Sequence, residues 1–283
     1  MTVVVPVRNG ATTIADQFAA LAAQRYEAPW EVVVADNGST DATRAVVAEW
    51  GPRLPGLRVV DAAGPTCAAT ARNAGVAESR GDFLAFCDAD DVVGPEWLAS
   101  LASAASEFDI VTGPLDADQL NSEDVSVSRP LRADGIPRSN RFLPFAPSGN
   151  VGVWRDVFTS TGGFDDAYAQ CEDVEWSWRA QLRAGSTIGF APGAVVHYRY
   201  RVGTRAIARQ AFDRGRFSAR LYRDYRRQGL PRASTKRGLY TWAWVVFRSP
   251  TMIAEPGRAT WVRRAAESAG RLYGSLRFRV LFL

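Results

Sequence analysis

Hydrophobic positions in the first 113 residues come in short unbroken runs, each followed by a segment with helical spacing. Thr2–Val7 (TVVVPV) is a β-branched run that predicts a strand. After it, Ile14, Phe18 and Leu21 share one helical face, with Thr12 or Thr13 as a candidate cap. Residues 30–39 (WEVVVADNGS) predict a strand ending in turn residues, and 41–50 a helix. Residues 57–62 (LRVVDA) predict a third strand and 66–79 an Ala-rich helix. Residues 81–91 (GDFLAFCDADD) predict a fourth strand with its loop. Gly94 and Pro95 then open a helix that carries Leu98, Leu101, Ala102 and Ala105 at helical spacing, and 108–113 (FDIVTG) predict a fifth strand.

Strands without polar alternation, separated by helices, imply a mostly parallel sheet covered on both faces, an α/β fold. Ligands of such sheets bind beyond the carboxyl ends of the strands. Here those ends are polar: Pro6, Val7, Arg8 and Asn9; Asp36, Asn37, Gly38 and Ser39; Asp88, Ala89 and Asp90. All three segments are expected to line one crevice. Residues 114–145 read as a long loop. Helical spacing returns over Glu172–Ala184 with Gly185 as C-cap, and 187–192 and 194–200 read as short strands.

From Thr204 onward the pattern is helical and basic. Arg205, Arg209, Arg216, Arg220, Arg223 and Arg227 fall within an arc of about 60° at 3.6 residues per turn. Ile207, Ala211, Phe217, Leu221, Tyr222 and Tyr225 cluster on the other side. A second amphipathic segment places Trp261, Ala265, Ala269, Leu272 and Leu276 on one face. The pattern divides the chain into 1–200, itself 1–113 and 114–200, and a basic helical region 201–283.

Charge sharpens that division. Residues 199–283 hold 20 Lys or Arg against four acidic residues, whereas 1–198 hold 14 against 26. A balance of +16 at one end and −12 at the other predicts an anionic partner for the C-terminal region. Trp242, Trp244 and Trp261 beside its arginines favour a bilayer interface over nucleic acid. Its longest apolar run, LYTWAWVVF, has nine residues, and spanning takes about 20. No basic flank precedes an apolar run at the N-terminus, so no signal peptide is expected. Cys67, Cys87 and Cys171 lack metal-ligand spacing and predict a reduced chain.

Four constellations carry chemistry. Asp88, Ala89 and Asp90 in a loop after a strand suit a hard divalent cation, Mg²⁺ or Mn²⁺, or alternatively charge the next helix. Asp36, before its turn rather than in it, suits hydrogen bonds to a base or ribose. His197, the only histidine, is a core residue or a metal ligand. Glu172 and Asp173 at a helix start are helix-dipole charges or hold a general base.

Together with SGNVGVWRDVF, TGGFDDAY and ATARNAGVAESRG, in this order and spacing, these segments resemble the inverting family 2 glycosyltransferases of GT-A fold over residues 1–200. The resemblance implies that Pro6, Val7, Arg8 and Asn9 line a nucleotide pocket, with Asp36 on the base and Ser39 beside it. Arg72 and Asn73 border the donor diphosphate. Asp88 and Ala89 contact the donor, and Asp90 binds the divalent cation with His197 as a further ligand. Asp91 is a capping or supporting residue. Asp173 is the catalytic base. Glu172, Trp176, Gly149, Asn150, Gly163, Phe164 and Asp165 shape the floor between donor and acceptor. Glu175 and Trp176 depart from the usual pattern after the base, as does Asn37 where a second Asp is common.

The implied reaction moves a sugar from a nucleoside-diphosphate sugar to an acceptor hydroxyl, on a glycan or lipid-linked acceptor at the inner face of the cytoplasmic membrane. Two other readings remain at this level: a sugar-nucleotide pyrophosphorylase, for which VPVRNGAT is poor in Gly and basic residues, and a non-catalytic nucleotide-binding scaffold. The apolar helix faces are free to meet a bilayer, pack on 1–200 or form a homodimer.

Overall fold

The computed structural model describes residues 1–123, 135–249 and 257–283. Its strands are β1 (Thr2–Val7), β2 (Glu31–Asp36), β3 (Arg58–Asp61), β4 (Phe83–Cys87), β5 (Val92–Val93), β6 (Ile110–Thr112), β7 (Leu115–Asp116), β8 (Asn150–Trp154), β9 (Ile188–Phe190) and β10 (Val196–His197). Its helices are α1 (Ile14–Ala22), α2 (Thr43–Trp50), α3 (Ala68–Ala77), α4 (Trp97–Ala104), α5 (Arg155–Ser160), α6 (Glu172–Ala184), α7 (Thr204–Tyr225), α8 (Thr235–Phe247) and α9 (Gly257–Arg277).

Seven strands form one sheet in the order β3-β2-β1-β4-β8-β6-β9, and β8 alone runs against the rest. Both faces are covered, which is why β1 shows no polar alternation. Val3, Val5 and Val7 pack with Ile14, Phe18, Trp97 and Leu101 on one side. Val4, between them, packs with Val76, Phe158, Phe164 and Trp176 on the other.

A second sheet, β5-β10-β7, has two-residue strands. It sets His197 opposite Val92 on one side and Asp116 on the other. Strands this short have no periodicity to read, so β5 and β7 went unforeseen. The long loop expected over 114–145 begins with β7, and its residues 124–134 lie outside the described ones. Asn121 ties the described part down, donating to the Tyr198 carbonyl and accepting from Tyr200 N–H at 2.7 and 2.8 Å.

Three local expectations change. Thr13 occupies the cap position of α1 but makes no side-chain capping bond. Pro95 lies before the cap residue Glu96 of α4 rather than inside the helix. On α9 the face that turns inward is not the apolar one. Val262, Gly270, Gly274 and Ser275 are buried, while Leu272 and Leu276 are 44 % and 75 % exposed. The reason is close approach to α7: a Cβ on Gly270 would strike the Phe212 carbonyl, and one on Gly274 would meet the Arg216 carbonyl at 2.6 Å. Backbones that near one another admit glycine and exclude leucine.

The arginine arc of α7 is also partly internal. Arg220 stacks over the Tyr168 ring at 4.1 Å and faces Asp165 and Asp224, while Arg216 pairs with Asp213 and lies over Phe217. The side predicted to be apolar is buried as expected, with Leu221 and Tyr225 against Trp178 and Val174.

Candidate active site

The carboxyl ends of β1, β2 and β4 converge, as the strand directions require. Asn9 adopts a left-handed backbone (φ 55°), which turns the loop after β1 toward the loop after β2. Its N–H donates to Ser39 Oγ at 2.9 Å, and its Oδ1 accepts from Thr40 N–H at 2.8 Å. Asp36 is buried and held on both oxygens, by Ser39 N–H at 2.9 Å and Arg44 Nε at 2.5 Å. Burial pushes its pKa up, but these bonds outweigh burial and hold it below the usual range. Arg44 also pairs with Asp61. Pro6, Val7 and Arg8 lie on the same crevice wall, Arg8 exposed.

Past β4 the chain enters the acidic loop. Asp88, Asp90 and Asp91 offer carboxylate oxygens that lie within 4.8 Å of one another. Gln17, buried on α1, holds this loop by donating to the Asp88 carbonyl at 3.2 Å and accepting from Val93 N–H at 2.9 Å. Burial, then Asp88, raises the pKa of Asp90, against the opposing charges of Arg201 and Arg199. Burial, then Asp88 and Asp90, raises that of Asp91 well above the ordinary value. Asp91 does not cap α4. Its Oδ1 accepts from Arg199 N–H at 2.8 Å, and its buried Oδ2 has no hydrogen-bond partner. Three clustered oxygen donors, one of them orphaned, fit a hard divalent cation.

His197 reaches this neighbourhood through the small sheet, since β10 pairs with the strand that follows Asp91. Its Nδ1 is 2.8 Å from Asp116 Oδ2. A carboxylate on one ring nitrogen is a frequent support for a metal-ligating imidazole. His197 is nevertheless outside the group of residues whose ligand atoms converge, and Asp88 and Asp91 are inside it. The expected pair of Asp90 and His197 thus becomes a carboxylate cluster with His197 alongside.

The antiparallel register of β4 with β8 pairs Cys87 with Asn150 and so brings Gly149 beside Asp88. A Cβ on Gly149 would be 2.9 Å from Asp88 Oδ2. Asn150 lies below the floor rather than on it. It is fully buried, accepts from Trp97 Nε1 and donates to the Pro114 and Ala194 carbonyls at 2.8 to 3.0 Å.

Helix α6 opens at Cys171, itself left-handed (φ 65°), which points Glu172 and Asp173 back at the sheet. Arg72, buried on α3, donates to Asp88 and to Glu172 Oε1 (3.0 Å), so a single guanidinium joins the acidic loop to the start of α6. Ser148 N–H points at Asp173 Oδ2 (3.4 Å) and Val174 N–H at Oδ1 (2.8 Å). Burial, then the neighbouring Asp173, pushes Glu172 up to about 7, with Arg72 opposing. Burial likewise raises Asp173, against these bonds and Arg72.

Other sequence-expected residues are engaged by the protein itself. Asn73 does not face a diphosphate. Its amide clamps Phe164, accepting from the N–H at 3.0 Å and donating to the carbonyl at 2.7 Å. Gly163, at φ 64°, permits that close approach. Phe164 and Trp176 are core residues, packed with Phe158 and 2 % and 0 % exposed. Glu175 pairs with Arg179 at 2.8 Å and accepts from Tyr225 OH at 2.7 Å. The departures at Glu175 and Trp176 therefore alter packing under α6, not an acceptor surface. Asp165 shapes its turn by accepting from Ala167 N–H at 2.9 Å.

Sequence reasoning missed Gln17, Arg44, Arg199 and Arg201. Gln17, Arg44 and Arg199 bond to residues on other elements, and only YRYR after His197 offered a signal.

A doubly covered, mostly parallel sheet with carboxylates gathered at its strand ends has the layout in which α/β proteins carry their ligand sites. Residues 2–161 match the family described as Glycosyl transferase family 2, and the chain belongs to that family. It is 27 % identical to the glycosyltransferase AglE of Haloferax volcanii over 98 % of this chain and 96 % of that one. It is 30 % identical to the pre-mycofactocin glycosyltransferase of Mycobacterium tuberculosis over 76 % of this chain and 46 % of the relative.

Among solved structures it superposes on the mannosyltransferase PcManGT of Pyrobaculum calidifontis in complex with GDP-Man and Mn²⁺. That match has a TM-score of 0.65 at 20 % identity and covers 96 % of this chain and 86 % of that one. For S. aureus TarS 1-349 in complex with UDP-GlcNAc the TM-score is 0.54 at 19 % identity, over 100 % and 93 %. These likenesses show the GT-A fold, and the family makes the chain a glycosyltransferase.

Proposed function

We propose that the protein transfers a sugar from a nucleoside-diphosphate sugar to an acceptor hydroxyl with inversion, assisted by a divalent cation. The observation that carries this reading is the Arg72 bridge. It couples a carboxylate cluster suited to a diphosphate-bound cation to Glu172 on the opposite wall, next in the chain to the half-buried Asp173. Residues 1–200 form the catalytic part and 201–283 the basic helical part.

Asp88, Asp90 and Asp91 would hold the cation with His197 in support, and Asp36 with Asn9 and Ser39 would take the nucleoside. When bound, the cation supplies electrostatic stabilisation of the departing diphosphate. Asp173 accepts the acceptor proton as the hydroxyl oxygen attacks the anomeric carbon from the face opposite the diphosphate. Ser148 N–H keeps one carboxylate oxygen fixed for that role. The relatives named above are glycosyltransferases, and two structural neighbours carry UDP-GlcNAc or GDP-Man, which supports a sugar-nucleotide donor here.

Calorimetry with a panel of UDP-, GDP- and dTDP-sugars plus Mg²⁺ or Mn²⁺ tests the reading. At least one should bind, and more tightly at pH 8 than at pH 5. The sign follows from Asp90 and Asp91, whose raised pKa values keep protons on the cluster in acid, where they compete with the cation. Cation-independent binding, or none across the panel, sinks the proposal.

No described helix is long and apolar enough to cross a membrane. Leu239, Tyr240, Val246 and Phe247 on α8 and Leu276 on α9 are nonetheless 63 to 83 % exposed. With the +16 balance of 199–283, this surface fits the interface of an anionic bilayer, where each basic residue adds about 1 kcal/mol. The protein should co-sediment with vesicles containing anionic lipid at low salt. Equal recovery with neutral vesicles contradicts this surface assignment.

A further inference from the structure

Helix α1 is a fixed platform, since Ile14, Phe18 and Leu21 are fully buried against the sheet. Two of its side chains reach the acidic loop. Gln17 bonds directly to the two ends of that loop, to the Asp88 carbonyl at 3.2 Å and to Val93 N–H at 2.9 Å. Asp16, one position earlier, reaches it through Arg199. One Arg199 Nη donates to Asp16 Oδ2 at 3.0 Å, and its Nε donates to the Asp90 carbonyl at 2.9 Å. The Arg199 main-chain N–H donates to Asp91 Oδ1 at 2.8 Å. The loop is thereby pinned at both ends by α1 and in the middle by a residue from beyond β10.

A guanidinium beside a cation site has two opposed effects. Its charge repels the cation. Its bonds fix the main chain at Asp90, whose carboxylate must stay among oxygens that lie within 4.8 Å of one another. The charge is shared with Asp16 and is 31 % exposed, so solvent screens the repulsion. Among the described residues no other side chain bonds to the Asp90 main chain. The balance therefore favours the bonds.

We infer that Arg199 is a positioning residue of the cation site: by tying the Asp90 main chain to α1 it sets the carboxylate cluster, and it raises cation affinity although it carries a like charge. The inference rests on the cation-assisted transfer reading above and adds to it a residue outside the cluster. Two nitrogens of one planar guanidinium span both acceptors, which a lysine cannot reproduce.

The test titrates the full chain with Mn²⁺ alone and reads binding from water-proton relaxation. Arg199→Met should weaken Mn²⁺ binding about 10- to 100-fold, the usual effect of removing a group that orients metal ligands. Arg199→Lys keeps the charge without the fork, and most of the loss should remain. Asp16→Asn is an exposed change that should leave the melting temperature in EDTA unaltered. It should weaken Mn²⁺ binding in the wild-type background and add nothing in Arg199→Met. Equal or tighter binding by Arg199→Met marks the guanidinium as a repelling charge and overturns the inference. An Asp16→Asn effect of the same size in both backgrounds does so too, and both outcomes leave the transfer reading standing. A wild type that binds no Mn²⁺ strikes the cation from that reading and takes this inference with it.

Discussion

Replacing Asp173 by Asn should lower sugar transfer by about 10²- to 10⁴-fold, the usual contribution of a general base, while donor affinity stays within about twofold. Asparagine keeps the shape and accepts one of the two backbone bonds, from Ser148 or Val174 N–H, through its single carbonyl oxygen, but it cannot take a proton. The environment of Asp173 also sets a pH limb. Burial raises its pKa above that of an ordinary Asp, so the ionised base is lost on acidification earlier than a solvated carboxylate would be. The acid limb of the wild-type rate should therefore lie above the ordinary Asp range and vanish from the residual rate of Asp173→Asn. Transfer at near-normal rate by the variant would remove Asp173 from the mechanism.

Arg72→Met should be the most destabilising single change at the site. Arg72 is 2 % exposed and pairs with Asp88 and Glu172 together. Removing it leaves two carboxylates without their counter-charge, which costs about 3–5 kcal/mol when one partner of a buried pair is lost. The cost should depend on pH, and the sign can be worked out. Glu172 already titrates near 7 with Arg72 pulling it down, so in the variant its folded pKa rises further, above the unfolded value. Protonation then relieves the strain in acid, and the relief is lost as pH rises through that folded pKa. Denaturant unfolding should show a larger loss at pH 8 than at pH 6. A loss below about 1 kcal/mol at both would mean that the bridge contributes little.

The sheet was legible because its chemistry is local. Val3, Val4 and Val5, or Val32, Val33 and Val34, are buried on both faces, and such runs say strand without any partner being known. The acidic loop was legible for the same reason: three carboxylates in four positions need an explanation that contiguous residues supply. What was hidden depends on contacts between distant segments. His197 lies beside the cluster only because a two-residue strand pairs with Val92, and its Asp116 partner comes from another such strand. Asn73, Asn150 and Trp176 sit within site motifs yet face the protein, since a motif gives proximity to a site and not the direction of a side chain.

The C-terminal region illustrates the limit most directly. Helical spacing alone turned Leu272 and Leu276 inward, whereas backbone contact with α7 favours the Gly270 and Gly274 stripe and turns the leucines out. Periodicity ranks faces by hydrophobicity and does not register how near a neighbour comes.

The central claim is a single displacement at the sugar with Asp173 as base and nucleoside diphosphate as leaving group. It is tested most directly by NMR of the transfer product formed from the donor that the protein binds. Nucleoside diphosphate should be released and the product should have the anomeric configuration opposite to that of the donor; retained configuration, or release of pyrophosphate, would contradict a single displacement with Asp173 as base.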